Sequence, residues 1–232
     1  MCGRFTLKTP PELWGQLLLP WIDFAPVVES WQPRFNIAPT QRIIAVVREV
    51  GVSKGKADMF RWGLVPSWAE DLSVGNRMVN ARAETVAEKR SFKGPLCRRR
   101  CIVLADGYYE WQTVGRSKQP WWIHPTSGGV FGMAGLWEVN SRATGKAVPT
   151  CTIITTSANE KLSEIHDRMP VALNMMAIER WLDPEAKVEE VVQFLAPAAS
   201  DSFDFQQVST YVNNPRHESS ECLNPPDQHC DQ

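Results

Sequence analysis

The chain opens MCGRFTL, with a cysteine in the second position. A small residue there lets an aminopeptidase remove Met1, which would leave Cys2 with a thiol and a free α-amine two carbons apart. Such a 1,2-aminothiol can capture a carbonyl: the amine condenses with it, and the thiol closes a five-membered ring on the same carbon. An α-amine has a pKa of about 7.7–8.0 against about 10.4 for lysine, so on the order of a tenth is neutral at pH 7. The thiol alone could also serve as a nucleophile beside a histidine base.

Either chemistry needs groups that move protons. Glu110 lies among aromatics in ADGYYEW, where a strand should be buried. A carboxylate that loses solvent gains proton affinity, which suits a proton donor or acceptor, although a structural ion pair with an arginine explains it equally. His166, in IHDRMP, stands between apolar and charged neighbours; it reads as a proton carrier or as a hydrogen-bonded structural residue. His124 sits in a Trp-rich stretch, and His217 and His229 fall near the polar end of the chain. In NARAE, extended backbone would put Asn80, Arg82 and Glu84 on one face, either as a polar site or as a solvated edge.

Two further stretches could recognise a charged polymer. KRSFKGPLCRRR (89–100) carries six basic residues in twelve, with Phe92 among them. Basic runs are ordinarily solvated surface, but with an aromatic they also suit a phosphate backbone. RWGLVPSW (61–68) holds two tryptophans; Trp62 is expected in the core and Trp68, beyond the proline, exposed and able to stack.

The elements that must position these groups are mostly strands. Thr9-Pro10-Pro11-Glu12 predicts a helix running to Leu19 and stopping at Pro20. RIIAVVREV (42–50) and ADMFRWGLV (57–65) read as strands, 66–84 as a long loop, and Thr85-Val86-Ala87-Glu88 as a second capping box opening a short helix. CIVLADGYYEWQ, PWWIHP, VFGMAGLWEV and PTCTIITTS supply four strands between 101 and 157. Helices are expected over 158–165, Met175–Leu182 after Asn174, and Pro184–Leu195 after Asp183, then a strand at FQQVST. The expected fold is α+β and strand-dominated, a curled antiparallel sheet or barrel-like core with peripheral helices, over residues 1–212. Residues 213–232, polar and proline-containing, are expected to be a disordered tail.

Composition narrows the classes. At 232 residues with 43% hydrophobic and 22% charged side chains, the chain can bury a core as one soluble domain. A net charge of −1 offers no bulk attraction to nucleic acid, so any such binding must be local. The six cysteines show no CxxC pair, which argues for reduced thiols in a cytoplasm and against a zinc site. LLLPWIDFAPVV is interrupted by prolines and an aspartate, so neither a signal peptide nor a membrane span is expected. The expectation is a cytoplasmic monomer without metal or other cofactor.

MCGRF, RFNIAPT (34–40), RWGLVPSW, NARAET (80–85), CIVLADGYYEW (101–111), IHDRMP and VNNPR (212–216) together resemble the SRAP domain, the family of SOS response-associated peptidases, over residues 1–216. The resemblance implies covalent crosslinking to abasic sites in single-stranded DNA, with a nucleoid location in a bacterium. It implies that Cys2 is the nucleophile, that Asn80 holds the N-terminal residue and the opened sugar, and that Glu110 and His166 manage protons. It further implies that Arg4, Arg82 and Arg168 take phosphates while Pro39, Trp68 and Phe92 shape the strand's path. The ring-opened sugar supplies the aldehyde, and the adduct would be a thiazolidine. Two rivals stay open: a thiol peptidase or amidase using Cys2 and His166, and a non-catalytic single-strand binder in which Cys2 is incidental.

Overall fold

The computed structural model describes residues 2–16 and 21–226. Fourteen strands alternate with short helices among them. The first six strands are β1 (Arg4–Leu7), β2 (Ile22–Asp23), β3 (Arg34–Ile37), β4 (Arg42–Val47), β5 (Gly55–Trp62) and β6 (Asn80–Arg82). Then come β7 (Arg100–Ala105), β8 (Gly107–Val114), β9 (Ser117–Pro125), β10 (Phe131–Asn140) and β11 (Val148–Ser157). The last are β12 (Arg168–Pro170), β13 (Ala172–Leu173) and β14 (Phe203–Gln207). The helices are α1 (Ala25–Val28), α2 (Arg90–Arg98), α3 (Glu160–Ser163), α4 (Met175–Leu182) and α5 (Val188–Val191).

The strand-dominated α+β expectation holds. β10 pairs with β11 and β7, β7 with β4, and β4 with β5, all antiparallel. A short parallel contact, Arg61↔Thr150 and Trp62↔Cys151, joins β5 back to β11 and closes a five-stranded barrel. All six residues of β7 are buried, as a strand with core on one face and covered packing on the other should be. Gly63, at φ +117, sits where this closure brings backbones together: a Cβ there would lie 2.6 Å from the Gly75 carbonyl oxygen.

A second sheet, in the order β14-β9-β8-β1-β3, packs beside the barrel. β1 is therefore an interior strand, held between β8 and β3. Asp106 marks the corner where CIVLADGYYEWQ leaves the barrel for this sheet. The stretch is thus two strands rather than one, because the Asp106 carboxylate accepts from Thr6 and Thr9 hydroxyls and from the Lys8 and Thr9 N–H groups.

Other local expectations are corrected. Thr85–Glu88 forms turns, and the helix begins later, at Arg90, so the basic run itself is helical. Leu72–Arg77 is a 3₁₀ turn inside the expected loop, which ends in β6. Pro11–Gln16 is 3₁₀, and the expected end of that helix at Leu19–Pro20 lies outside the described residues. Asn174 caps α4 as expected, but after Asp183 the helix waits until Val188.

The expected disorder from residue 213 is corrected as far as residue 226. Glu218 accepts from the Phe35 and Asn36 N–H groups and pairs with Arg34 at 2.8 Å. The Asn36 side chain donates to the carbonyls of Val212, Asn214 and His217. Cys222 is buried beneath Tyr109, Trp122, Val208 and Val212. The segment lacks hydrophobic bulk, and polar bonds to β3 make up for it, which composition does not display.

Candidate functional site

The flanking sheet brings Cys2 and Glu110 together. β1 pairs with β8 through Arg4↔Tyr109 and Phe5↔Tyr108, so continuing the register carries the residues just before Arg4 alongside Glu110. Cys2 is fully buried and Glu110 is 2% exposed. Burial, with the Glu110 charge adding to it, pushes the Cys2 thiol far up, so it rests as the neutral thiol. Burial likewise pushes the Glu110 carboxyl up to about 7, against opposing pulls that include Lys118.

The barrel contributes the other half. β6 lies parallel to β11, placing Asn80 beside Ile153. The Asn80 amide donates to the Cys2 carbonyl at 2.8 Å. Its own carbonyl oxygen is buried with no partner among the described residues, an acceptor available to a hydroxyl or amine. β12 pairs with β11 just after the loop that holds His166. His166 Nε2 stands 3.8 Å from Glu110 Oε2.

The proton on His166 can be placed from its neighbours. The Arg168 N–H donates to Nδ1 at 2.9 Å, so the neutral ring carries its hydrogen on Nε2, toward Glu110. Asp167 Oδ1 also lies 2.9 Å from Nδ1, a contact that suits the charged ring instead. Burial lowers the His166 pKa despite Asp167, which favours the neutral tautomer.

Both groups open on a cleft of about 540 Å³ lined by Arg4, Glu110, Trp111, Lys118, His166 and Asn213. Arg4 is fixed there by bonds to Asn36 Oδ1 and to the Val212 and Asn213 carbonyls. Trp111 donates to Asn213 Oδ1 at 2.7 Å, and the Arg4 guanidinium stands over its ring. Trp111, Lys118 and Asn213 were missed as site residues. Trp111 is the neighbour of Glu110, and the hairpin turn at Gly115–Arg116 would have placed Lys118 opposite Thr113.

The expected strand-binding residues are spread more widely. Arg82 is exposed and Pro39 half-buried, the latter beside Thr40, whose φ of 75 is a strained value for a non-glycine residue. Arg168 is bonded to both Glu84 carboxylate oxygens and to the Thr155 carbonyl. Trp68 is half exposed, with the Arg90 guanidinium 5.7 Å from its ring centroid, while Trp62 is core as expected. Phe92 is a correction: it is 5% exposed, on the inner face of α2 with Pro95 and Leu96, and presents no ring to a base. Arg100 is likewise withdrawn from the basic surface, its guanidinium buried against the carbonyls of Leu96, Cys97 and Trp181.

No helix among the described residues is long and apolar enough to cross a membrane.

Comparison with known proteins adds four findings. The sequence model described as SOS response associated peptidase (SRAP) matches residues 1–215. The abasic site processing protein YoaM of Bacillus subtilis (strain 168) is 41% identical over 226 residues, spanning 96% of this chain and 97% of that one. The abasic site processing protein HMCES of Gallus gallus is 40% identical over 192 residues, spanning 71% of this chain and 56% of that one. Among solved structures, a protein from Bacteroides thetaiotaomicron superposes with a TM-score of 0.82 at 24% identity, covering 97% of this chain and 99% of that one, a likeness of fold.

Proposed function

The chain belongs to the SOS response-associated peptidase family, and from that membership we propose that it processes abasic sites in single-stranded DNA by trapping them on Cys2 as a thiazolidine. The observation that carries the proposal is the convergence on Cys2 of Asn80, from the barrel, and Glu110, from the flanking sheet, with His166 behind Glu110.

Removal of Met1 frees the Cys2 amine. The closed abasic sugar opens when its C1 hydroxyl gives up a proton and the ring oxygen gains one. The amine then adds to the aldehyde, and loss of water gives an iminium. Addition of the thiol forms the C–S bond and releases the thiol proton, leaving a neutral ring. Each step moves a proton, and a carboxyl with pKa about 7 can donate and accept at neutral pH. A neutral thiol suffices, because the iminium is a strong electrophile. His166, with Nε2–H toward Glu110, can relay the proton outward. Asn80 holds the Cys2 carbonyl and offers its oxygen to the opened sugar. Phosphates fall to Arg4, Arg82 and Arg168, stacking to Trp68, and part of the strand's path to Pro39.

Amide cleavage would need a base to activate the buried, neutral Cys2 thiol, whereas His166 directs its Nε2 toward Glu110. The test is incubation of mature protein with a single-stranded oligonucleotide bearing one abasic site, read on a denaturing gel and by intact mass. A heat-stable adduct one water lighter than the sum of the partners supports the proposal. Strand cleavage without an adduct, or a protein that retains Met1 and still reacts, overturns it.

A further inference from the structure

The cations around the cleft differ in what already occupies them. Arg4 shares its guanidinium among Asn36, Val212 and Asn213. Arg168 is held by Glu84 and Thr155. Lys118 lines the same cleft, and its ammonium has no hydrogen-bond or ion-pair partner among the described residues.

Its position follows from the hairpin. Lys118 pairs with Thr113 and Arg4 with Tyr109, which puts Lys118, Trp111 and Arg4 on one face of the sheet. Glu110 is on the other face, and the two faces meet at the cleft where β1 begins at Arg4. A strand whose lesion reaches Glu110 must therefore pass this face, with Trp111 locked by Asn213 between two cations.

We infer that Lys118 is a substrate-contacting residue that binds a DNA phosphate flanking the lesion, bringing an uncommitted ammonium to a cleft whose arginine is already bonded within the protein. This rests on the reading of single-stranded DNA as substrate. It deepens that reading by assigning a contact outside the motifs that carry the family resemblance.

A second consequence arises from charge. Lys118 shares the cleft with Arg4 from the first strand, Glu110 from its own hairpin and His166 from the loop before β12, where Asp167 lies against the His166 ring. Lys118 lowers the proton affinity of both Glu110 and His166. Phosphate binding would offset that charge and help Glu110 hold its proton when the lesion is seated.

The experiment compares wild type with Lys118→Ala and Lys118→Arg. Binding is measured with an oligonucleotide carrying a tetrahydrofuran abasic analogue, which has no aldehyde and so reports affinity alone. Lys118→Ala should weaken binding roughly five- to tenfold and reduce the slope of log K against log salt by about one, with Lys118→Arg restoring both. Adduct formation on a true abasic site should show its pH midpoint shifted upward in Lys118→Ala. Unchanged affinity and salt slope, with the wild type still crosslinking, overturn the role of Lys118 alone. A wild type that binds the analogue but forms no adduct removes the crosslinking reading and leaves Lys118 judged by binding. Failure of the wild type to bind overturns both.

Discussion

Glu110 Oε2 and His166 Nε2 stand 3.8 Å apart although one residue rises from the flanking sheet and the other from a loop off the barrel. Neither group could be held there by its own sheet. The pair exists because β1 and β8 lean one sheet against the strands β6, β11 and β12 of the other.

Glu110→Gln keeps the shape and removes the titrating proton. Adduct formation should slow by about 10²-fold or more. The inflection near pH 7 in the rate profile should vanish, while the one from the amine, near pH 8, remains. Single-turnover rates from pH 5.5 to 9 measure both, and an unaltered profile removes the carboxylate from the mechanism.

The same substitution should affect folding in the opposite sense. The folded carboxyl, at about 7, binds its proton more tightly than the unfolded one near 4.3, so this group makes stability fall as pH rises between those values. Glu110→Gln should thus unfold like wild type at pH 4 and be more stable at pH 8, by on the order of 3–4 kcal/mol at about 1.4 per pKa unit. Urea titrations at the two pH values read the difference; equal gaps at both would show that Glu110 is not desolvated.

Cys2→Ala should lose the covalent adduct entirely yet bind the tetrahydrofuran analogue within about twofold of wild type, since the buried thiol contributes no charge to the strand. Adduct surviving in this variant would point to an open imine, at the α-amine of residue 2 or at a lysine, instead of the ring.

Glu218→Ala tests the closing segment. Burial works to raise this carboxyl, but bonds from Arg34 and from the Asn36 and Phe35 N–H groups prevail and hold it below its usual value. Its stabilisation is thus full above the unfolded pKa and lost as pH falls through the lower folded one. The variant should lose about 1–3 kcal/mol at pH 7 and much less at pH 3. A mutant as stable as wild type at pH 7 would mean that the segment is not held by this residue.

Trp68→Ala should weaken binding to single strands about tenfold, since stacking is worth about 1–3 kcal/mol per base, and change little for duplex. Comparable losses on both substrates would make Trp68 a structural residue.

The parts legible in the sequence are those with local signals. Asn174 announces α4, and alternating and β-branched runs announce the barrel strands. Cys2 stands out by its second position, Asn80 by the polar alternation of NARAE, Glu110 as a carboxylate among aromatics, and His166 between apolar and charged neighbours. Phe92 misled because a basic helix shows its charges in sequence but not which side turns inward. The corner at Asp106 was hidden within CIVLADGYYEW, since its four side-chain bonds depend on Thr6, Lys8 and Thr9 a hundred residues earlier. The order of residues 213–226 was invisible for the same reason: its partners are Arg34, Phe35 and Asn36.

The wall that Asn213 gives the cleft has a consequence for biosynthesis. A ribosome delivers Cys2 about two hundred residues before Asn213. On the proposed chemistry, the nascent protein carries its aminothiol through that interval without the cleft that would assist it. Condensation with cellular aldehydes would then be left to an unassisted amine until Asn213 has been made.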